Sequence, residues 1–221
     1  MPLPTVEIET APDPKHAVIW LHGLGADGHD FEPIVPELVD RSWPALRFVF
    51  PHAPVRPVTV NGGMPMRAWY DITGMEIAQK QDEAGMRASI AQLDELIARE
   101  IARGIVGENI ILAGFSQGGA IALAGGLRHA QKLGGIMALS TYLPMAEKTD
   151  VEIVPGNRAI PIFMGHGTVD PIVPLRLGEM SRDALQRLGY AVEWHSYPMA
   201  HQVCAEEIAD LRRWLGARLS K

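Results

Sequence analysis

Apolar residues in this chain fall into two patterns that alternate along its length. The first is the short, nearly unbroken run. Ala17–His22, Leu46–Phe50, Asn109–Gly114, Gly135–Ser140, Ile160–Gly165 and Ala191–Tyr197 are such runs, each ending at a glycine, a proline or a polar turn. Continuous apolar runs of this length predict strands buried on both faces. The second pattern recurs every three or four residues. In Glu83–Arg103 it places Ile90, Leu93, Ile97 and Ile101 on one face, and Gly104 supplies a stop. Gln117–Ala130, Leu175–Leu188 and Val203–Leu219 are the other predicted helices. Strand and helix in alternation predict an α/β protein with a mainly parallel sheet covered on both faces. Pro51–Gly74 breaks the pattern. It holds Pro51, Pro54, Pro57, Pro65 and the pair Gly62-Gly63, so a long loop without regular structure throughout is expected there. That loop carries Met64, Met66, Trp69 and Tyr70, a composition common in functional loops.

Composition narrows the function classes. The 221 residues suit a single domain spanning 1–221, and 47% of them are apolar, enough for a sizeable core. The net charge is −6 with no cluster of Lys and Arg, which argues against nucleic acid as a partner. One cysteine, Cys204, excludes an intrachain disulfide and fits a reducing compartment. Met1–Lys15 is acidic and Pro-rich, without the basic and apolar regions of a secretory signal. No apolar run reaches the roughly 20 residues that cross a bilayer, so no integral membrane segment is expected and the expected location is cytoplasmic. The histidines show no H-E-x-x-H spacing and cysteines cannot pair, so neither metal nor cofactor is expected.

The chemistry is carried by Gly114-Phe115-Ser116-Gln117-Gly118, a G-x-S-x-G pattern. Such a pattern is common by chance. Here it follows an apolar strand and opens a helix of small residues, the surroundings a nucleophile elbow requires. A sharp turn brings chain segments together, and glycines at both ends leave room for them. The helix N-terminus then points at the place where negative charge develops in acyl transfer.

A serine hydroxyl needs a base, and the base an orienting acid. In the strand-turn-helix hydrolases built on this elbow the chain order is Ser, acid, His. Of the eight histidines, His129, His166, His195 and His201 follow Ser116. His129 sits late in the helix after the elbow, His166 precedes the strand-end acid, and His195 lies within a strand. His201 falls in a loop just past a strand's carboxyl end, where open parallel sheets place their sites. Asp170 is likewise just past the carboxyl end of a strand and precedes Pro171, which favours an ordered turn. Asp150 lies in a polar stretch, and Asp183 is expected in mid-helix. The tetrahedral oxyanion needs two N–H donors. Gln117 follows the nucleophile, and Leu24 lies in the glycine loop Leu21-His22-Gly23-Leu24-Gly25 after an early strand. His22 is read as a structural hydrogen-bonding residue.

These segments, with Arg56-Pro57-Val58-Thr59-Val60-Asn61-Gly62-Gly63, Trp69-Tyr70-Asp71-Ile72, Ala138-Leu139-Ser140-Thr141-Tyr142 and Tyr197-Pro198-Met199-Ala200-His201, cover nearly the whole chain. In them the sequence resembles the small carboxylesterase and acyl-protein thioesterase family of α/β-hydrolases, especially its bacterial carboxylesterases. The resemblance implies Ser116, Asp170 and His201 as a triad and the Leu24 and Gln117 N–H groups as the oxyanion hole. It also implies an acyl channel near the Met64–Tyr70 loop. Met64, Met66, Trp69, Tyr70, Leu143 and Val173 are the candidate substrate-binding residues. The implied substrates are small-molecule carboxylic esters of short to medium acyl length, with acyl thioesters or lysophospholipids as further classes. Family members often pair, so a homodimer is also expected. One departure is Ala200 where the family usually has glycine before the histidine. The competing readings are thioester cleavage as the main activity, another reaction at the same triad such as peptidase or acyltransferase chemistry, a non-catalytic binding protein on this fold, and Cys204 as nucleophile. Cys204 is near a helix start but off the elbow.

Overall fold

The structure, a computed structural model, describes residues 3–74 and 81–219. In chain order the strands are β1 (Thr5–Glu9), β2 (His16–Leu21), β3 (Leu46–Pro51), β4 (Val55–Val58), β5 (Met64–Arg67), β6 (Ile110–Phe115), β7 (Gly135–Leu139), β8 (Ile162–Gly167) and β9 (Val192–Tyr197). The helices are α1 (Val35–Leu38), α2 (Glu83–Ala102), α3 (Gln117–Arg128), α4 (Ala146–Glu152), α5 (Leu175–Arg187) and α6 (Ala205–Leu219).

Seven strands form one sheet in the order β1-β3-β2-β6-β7-β8-β9. β1 runs antiparallel to β3, and every other pairing in this sheet is parallel. The central strands are apolar throughout because both faces are covered. Along β2, Ala17, Ile19 and Leu21 enter one core with residues of α2 and α3, such as Leu93 and Leu123. Val18 and Trp20 enter the other with Leu38 of α1 and Leu211, Trp214 and Leu215 of α6. At about 25 cal/mol per Å² of apolar surface removed from water, these two layers supply the main driving force for folding.

Local chemistry sets the helix limits. Asp82 caps α2 by accepting from the Gly85 N–H at 2.9 Å. Gly104, at φ +94°, turns the chain away after Arg103. Glu100 near the end of α2 is wholly buried, and Arg47 of β3 pairs with it at 2.9 Å. Arg47 also reaches Glu9, and Arg99 and Arg103 reach Glu7. This network pins the edge strand β1 to the rest of the sheet.

Two expectations are corrected, and two elements appear where none was expected either way. Thr5–Glu9, within a stretch read only as acidic and Pro-rich, is an edge strand whose Val6 and Ile8 pack on the core while Thr5, Glu7 and Glu9 alternate with them. Pro51–Gly74 is not loop throughout: it contains a β4–β5 hairpin. Pro57 lies opposite Pro65 in that hairpin. Neither has an N–H, so the two can face each other only at a pair that exchanges no ladder bond. The run beginning at Ile160 forms its strand two residues later, so His166 and Gly167 belong to β8. The polar stretch around Asp150 is helical, as α4.

Candidate active site

Each segment of the site lies at the carboxyl edge of the parallel sheet: Leu24 after β2, Ser116 after β6, Asp170 after β8 and His201 after β9. Ser116 sits between β6 and α3 at φ 54° and ψ −120°, a backbone conformation that a residue with a side chain rarely adopts. It is held there from three sides. Its N–H donates to the Leu139 carbonyl at 2.9 Å, and its carbonyl accepts from Thr141 Oγ1 at 2.6 Å and from the Ala120 N–H at 3.1 Å. The tightness of the elbow explains its glycines. A Cβ on Gly118 would lie 2.2 Å from the Leu21 carbonyl oxygen, and one on Gly114 would lie 2.4 Å from backbone atoms of Gly118.

Ser116 Oγ is 2.9 Å from His201 Nε2, and His201 Nδ1 is 2.7 Å from Asp170 Oδ2. A carboxylate only accepts, so Nδ1 carries the imidazole proton and Nε2 presents a lone pair to the serine hydroxyl. The Asp170 side chain is fully buried, and its other oxygen accepts from the N–H groups of Ile172 and Val173 at 2.8 and 2.9 Å. His166 stabilises this turn from behind by donating from Nε2 to the Val173 carbonyl at 2.8 Å. Burial holds the His166 imidazole below its ordinary pKa, which keeps it in the neutral, single-donor form. Phe115 packs against the His201 ring, with centroids 4.7 Å apart.

The glycine loop after β2 lies against the elbow. A Cβ on Gly23 would stand 3.6 Å from that of Ser116. Among the described residues neither the Leu24 N–H nor the Gln117 N–H donates a hydrogen bond, so both donors beside Ser116 are unspent. His22 anchors the loop: Nδ1 meets the Gly23 carbonyl at 2.7 Å and Nε2 accepts from the Ala53 N–H at 3.1 Å. Burial pushes its pKa down to about 4, as this fixed neutral tautomer requires.

The remaining candidate residues separate by environment. Met64 is 62% exposed at the hairpin tip. Met66, on the same strand, faces Gly25, with Sδ 3.9 Å from a Cβ built there. Trp69, Tyr70 and Val173 are buried and bonded rather than open to a channel. Trp69 Nε1 donates to the His22 carbonyl at 2.9 Å, and the Tyr70 and Tyr142 hydroxyls meet at 2.9 Å. Leu143 lines a pocket of about 340 Å³ with Tyr142, Leu177 and Ser181. Cys204 and His195 lie outside the Ser116–His201–Asp170 chain: His195 meets Glu193 and Asp210 instead, and burial raises the Cys204 thiol pKa.

Two supports escaped the sequence. The Gln117 carboxamide accepts from the Trp69 N–H and donates to the Tyr70 carbonyl, both at 2.7 Å, which ties the segment after the hairpin to the elbow. Thr141 braces the Ser116 carbonyl. Neither has a spacing signal, because each joins segments far apart in the chain.

A parallel sheet with an antiparallel edge strand and a strained serine between strand and helix defines the α/β-hydrolase class. The pattern of the phospholipase/carboxylesterase family matches residues 3–219, and the chain belongs to that family. Acyl-protein thioesterase 1 of Neurospora crassa is 42% identical to it over 214 residues, spanning 92% of this chain and 87% of the relative. The protein of the same name from Cryptococcus neoformans is 38% identical, spanning 97% and 98%. Among solved structures, Arabidopsis thaliana SOBER1 superimposes with a TM-score of 0.88 at 31% identity, over 93% of this chain and 99% of that one. Zea mays acyl-protein thioesterase 2 gives 0.85 at 30% identity, over 97% and 99%. The protein is therefore a hydrolase. Among the described residues no helix is long and apolar enough to cross a membrane.

Proposed function

We propose that this chain, as one domain, hydrolyses carboxylic esters and acyl thioesters through a covalent acyl-enzyme on Ser116. The observation that carries this reading is the hydrogen-bonded chain from buried Asp170 through His201 to Ser116 Oγ, ending on a strained residue at a helix N-terminus. His201 Nε2 takes the hydroxyl proton as Oγ attacks the acyl carbonyl. The Leu24 and Gln117 N–H groups receive the oxyanion. His201, held by Asp170, then gives the proton to the leaving alkoxide or thiolate. Water, deprotonated by the same nitrogen, attacks the acyl-serine and releases the acid and a free Ser116.

Thioesters belong in the proposal because the curated relatives are acyl-protein thioesterases and the same steps serve either leaving group. Short to medium acyl chains are proposed, with Leu143, Met64 and Met66 among the wall residues. A cytoplasmic location and a homodimer accompany this reading as proposals; the second is checked by light scattering in solution.

Ser116→Ala tests the reading. It should abolish turnover of an aryl ester and an acyl thioester, and also covalent labelling by a fluorophosphonate, while the far-ultraviolet circular dichroism stays unchanged. Wild-type turnover by the folded variant would remove Ser116 from the mechanism.

A further inference from the structure

The two N–H groups assigned to the oxyanion come from separate elements, Leu24 from the loop after β2 and Gln117 from the first residue of α3. The sheet registers β2 against β6 as far as Leu21 opposite Gly114, and both donors lie beyond that last pair. Their separation must nevertheless be set closely, because each has to reach the same oxygen at about 2.7–3.1 Å.

Residues 67–70, the end of β5 and the turn after it, bond to both sides of this gap. Toward the loop, the Arg67 carbonyl accepts from the Gly25 N–H at 2.9 Å, and the Trp69 indole Nε1–H donates to the His22 carbonyl at 2.9 Å. Gly23 and Leu24 are thereby held between two bonded neighbours. Toward the elbow, the Trp69 N–H donates to the Gln117 carboxamide oxygen, and the Tyr70 carbonyl accepts from the carboxamide nitrogen, both at 2.7 Å. Trp69 is the residue of this segment that bonds to both sides. Its carbonyl accepts from Ser89 Oγ of α2, and its ring stands 5.4 Å from the His22 ring. Every polar group of Trp69 is therefore spent, and Trp69, His22, Gln117 and Ser89 are all buried. A buried network with its donors and acceptors satisfied holds one geometry.

We infer that Trp69 is a positioning residue for the oxyanion hole: it splints the Leu24 loop to the Gln117 elbow and so fixes the distance between the two donors. It acts through Leu24 and Gln117 rather than on the substrate. This inference rests on the ester hydrolase reading above and adds a residue to it.

Trp69→Phe keeps a buried ring and removes the indole N–H. Removing an oxyanion donor outright costs about 10²–10³ in kcat. Displacing one should cost less, about ten- to thirty-fold, with KM within about two-fold of the wild-type value. Rates are taken per active site, counted by fluorophosphonate titration, so that misfolded protein does not enter. Two inhibitors separate positioning from a general loosening of the site. An alkyl trifluoromethyl ketone bonds its carbonyl carbon to Ser116 Oγ, the serine proton passes to His201, and the carbonyl oxygen becomes an oxyanion between the two donors. The matching trifluoromethyl carbinol has nearly the same shape and forms no oxyanion. The ketone inhibition constant should rise by the factor that kcat falls, and the carbinol constant should stay within about two-fold. Gln117→Met cuts the splint at its other end and should give the same pattern. The double variant should lie within about two-fold of the poorer single one, because a broken splint cannot be broken again. Should Trp69→Phe not fold, Gln117→Met decides by the same two inhibitors. Wild-type kcat per site in the folded variant, ketone and carbinol constants that rise together, or losses that multiply in the double variant would overturn the inference and leave the hydrolase reading intact. A wild-type enzyme that turns over no ester and resists the ketone would overturn the hydrolase reading, and this assignment with it.

Discussion

Asp170 shows how one side chain can be positioned so that its chemistry is fixed. One oxygen is spent on two backbone N–H groups and the other on His201, so the carboxylate can neither rotate nor approach Ser116. Its role in the proposed mechanism is to hold the imidazole tautomer and to stabilise the imidazolium that forms. Asp170→Asn keeps the shape but replaces one acceptor with an N–H donor. That donor favours the tautomer with its proton on Nε2, which cannot act as base toward Ser116. The expected result is a loss of about 10⁴-fold in kcat with KM little changed. Steady-state kinetics on an aryl ester, with thermal melts to confirm folding, is the check. A loss smaller than about ten-fold would mean that another group orients His201.

At the scale of elements, the site depends on how closely α3 crosses the end of β2. Gly118 makes that approach possible, since a methyl there would meet the carbonyl oxygens of Leu21 and His22 at 2.2 and 2.6 Å. Both are backbone atoms in or next to a central strand and cannot move aside. Gly118→Ala should therefore cost about 3 kcal/mol of stability, read from the urea midpoint. Gly156→Ala, where a methyl meets nothing closer than 3.7 Å, should be near neutral. Equal midpoints would show that the crossing is looser than these distances. The central strands, the four long helices and the positions of Ser116, Asp170 and His201 at strand ends were legible because burial and chain order leave marks in the sequence. β1 was hidden by acidic composition, although Thr5-Val6-Glu7-Ile8-Glu9 alternates with period two; its charges pair with Arg47, Arg99 and Arg103, which no local window contains. The β4–β5 hairpin was hidden by its prolines, which usually mark loops but are tolerated opposite one another. The Gln117 bridge was illegible for a third reason. Its partners lie 47 and 48 positions away, and only the folded chain brings them together.

At the scale of the whole molecule, two buried groups set opposing dependences of stability on pH. His22 has its pKa lowered from 6.5 to about 4 by burial. The unfolded chain therefore binds a proton that the folded one does not between those values, and this contribution to stability is lost as pH falls from about 6.5 to about 4. Glu207 on α6 behaves the other way. It is wholly buried, neither carboxyl oxygen has a hydrogen-bond partner among the described residues, and one oxygen packs against Gly165 of β8. Burial, reinforced by Asp210, raises its pKa from 4.5 to about 8. The folded protein thus holds a proton that the unfolded chain releases above about pH 4.5. Stability from this group is full below that value, falls as pH rises, and levels off above about pH 8. The slope is about 1.4 kcal/mol per pH unit for one proton. Glu207→Gln keeps the shape and removes the ionisation. Urea unfolding at pH 5 should find the variant and the wild type within about 1 kcal/mol of each other, because both side chains are then neutral when folded. At pH 8.5 the variant should be more stable by several kcal/mol, with the difference opening steadily in between. A difference independent of pH would mean that Glu207 is ionised in the folded protein and that its burial is offset by a partner.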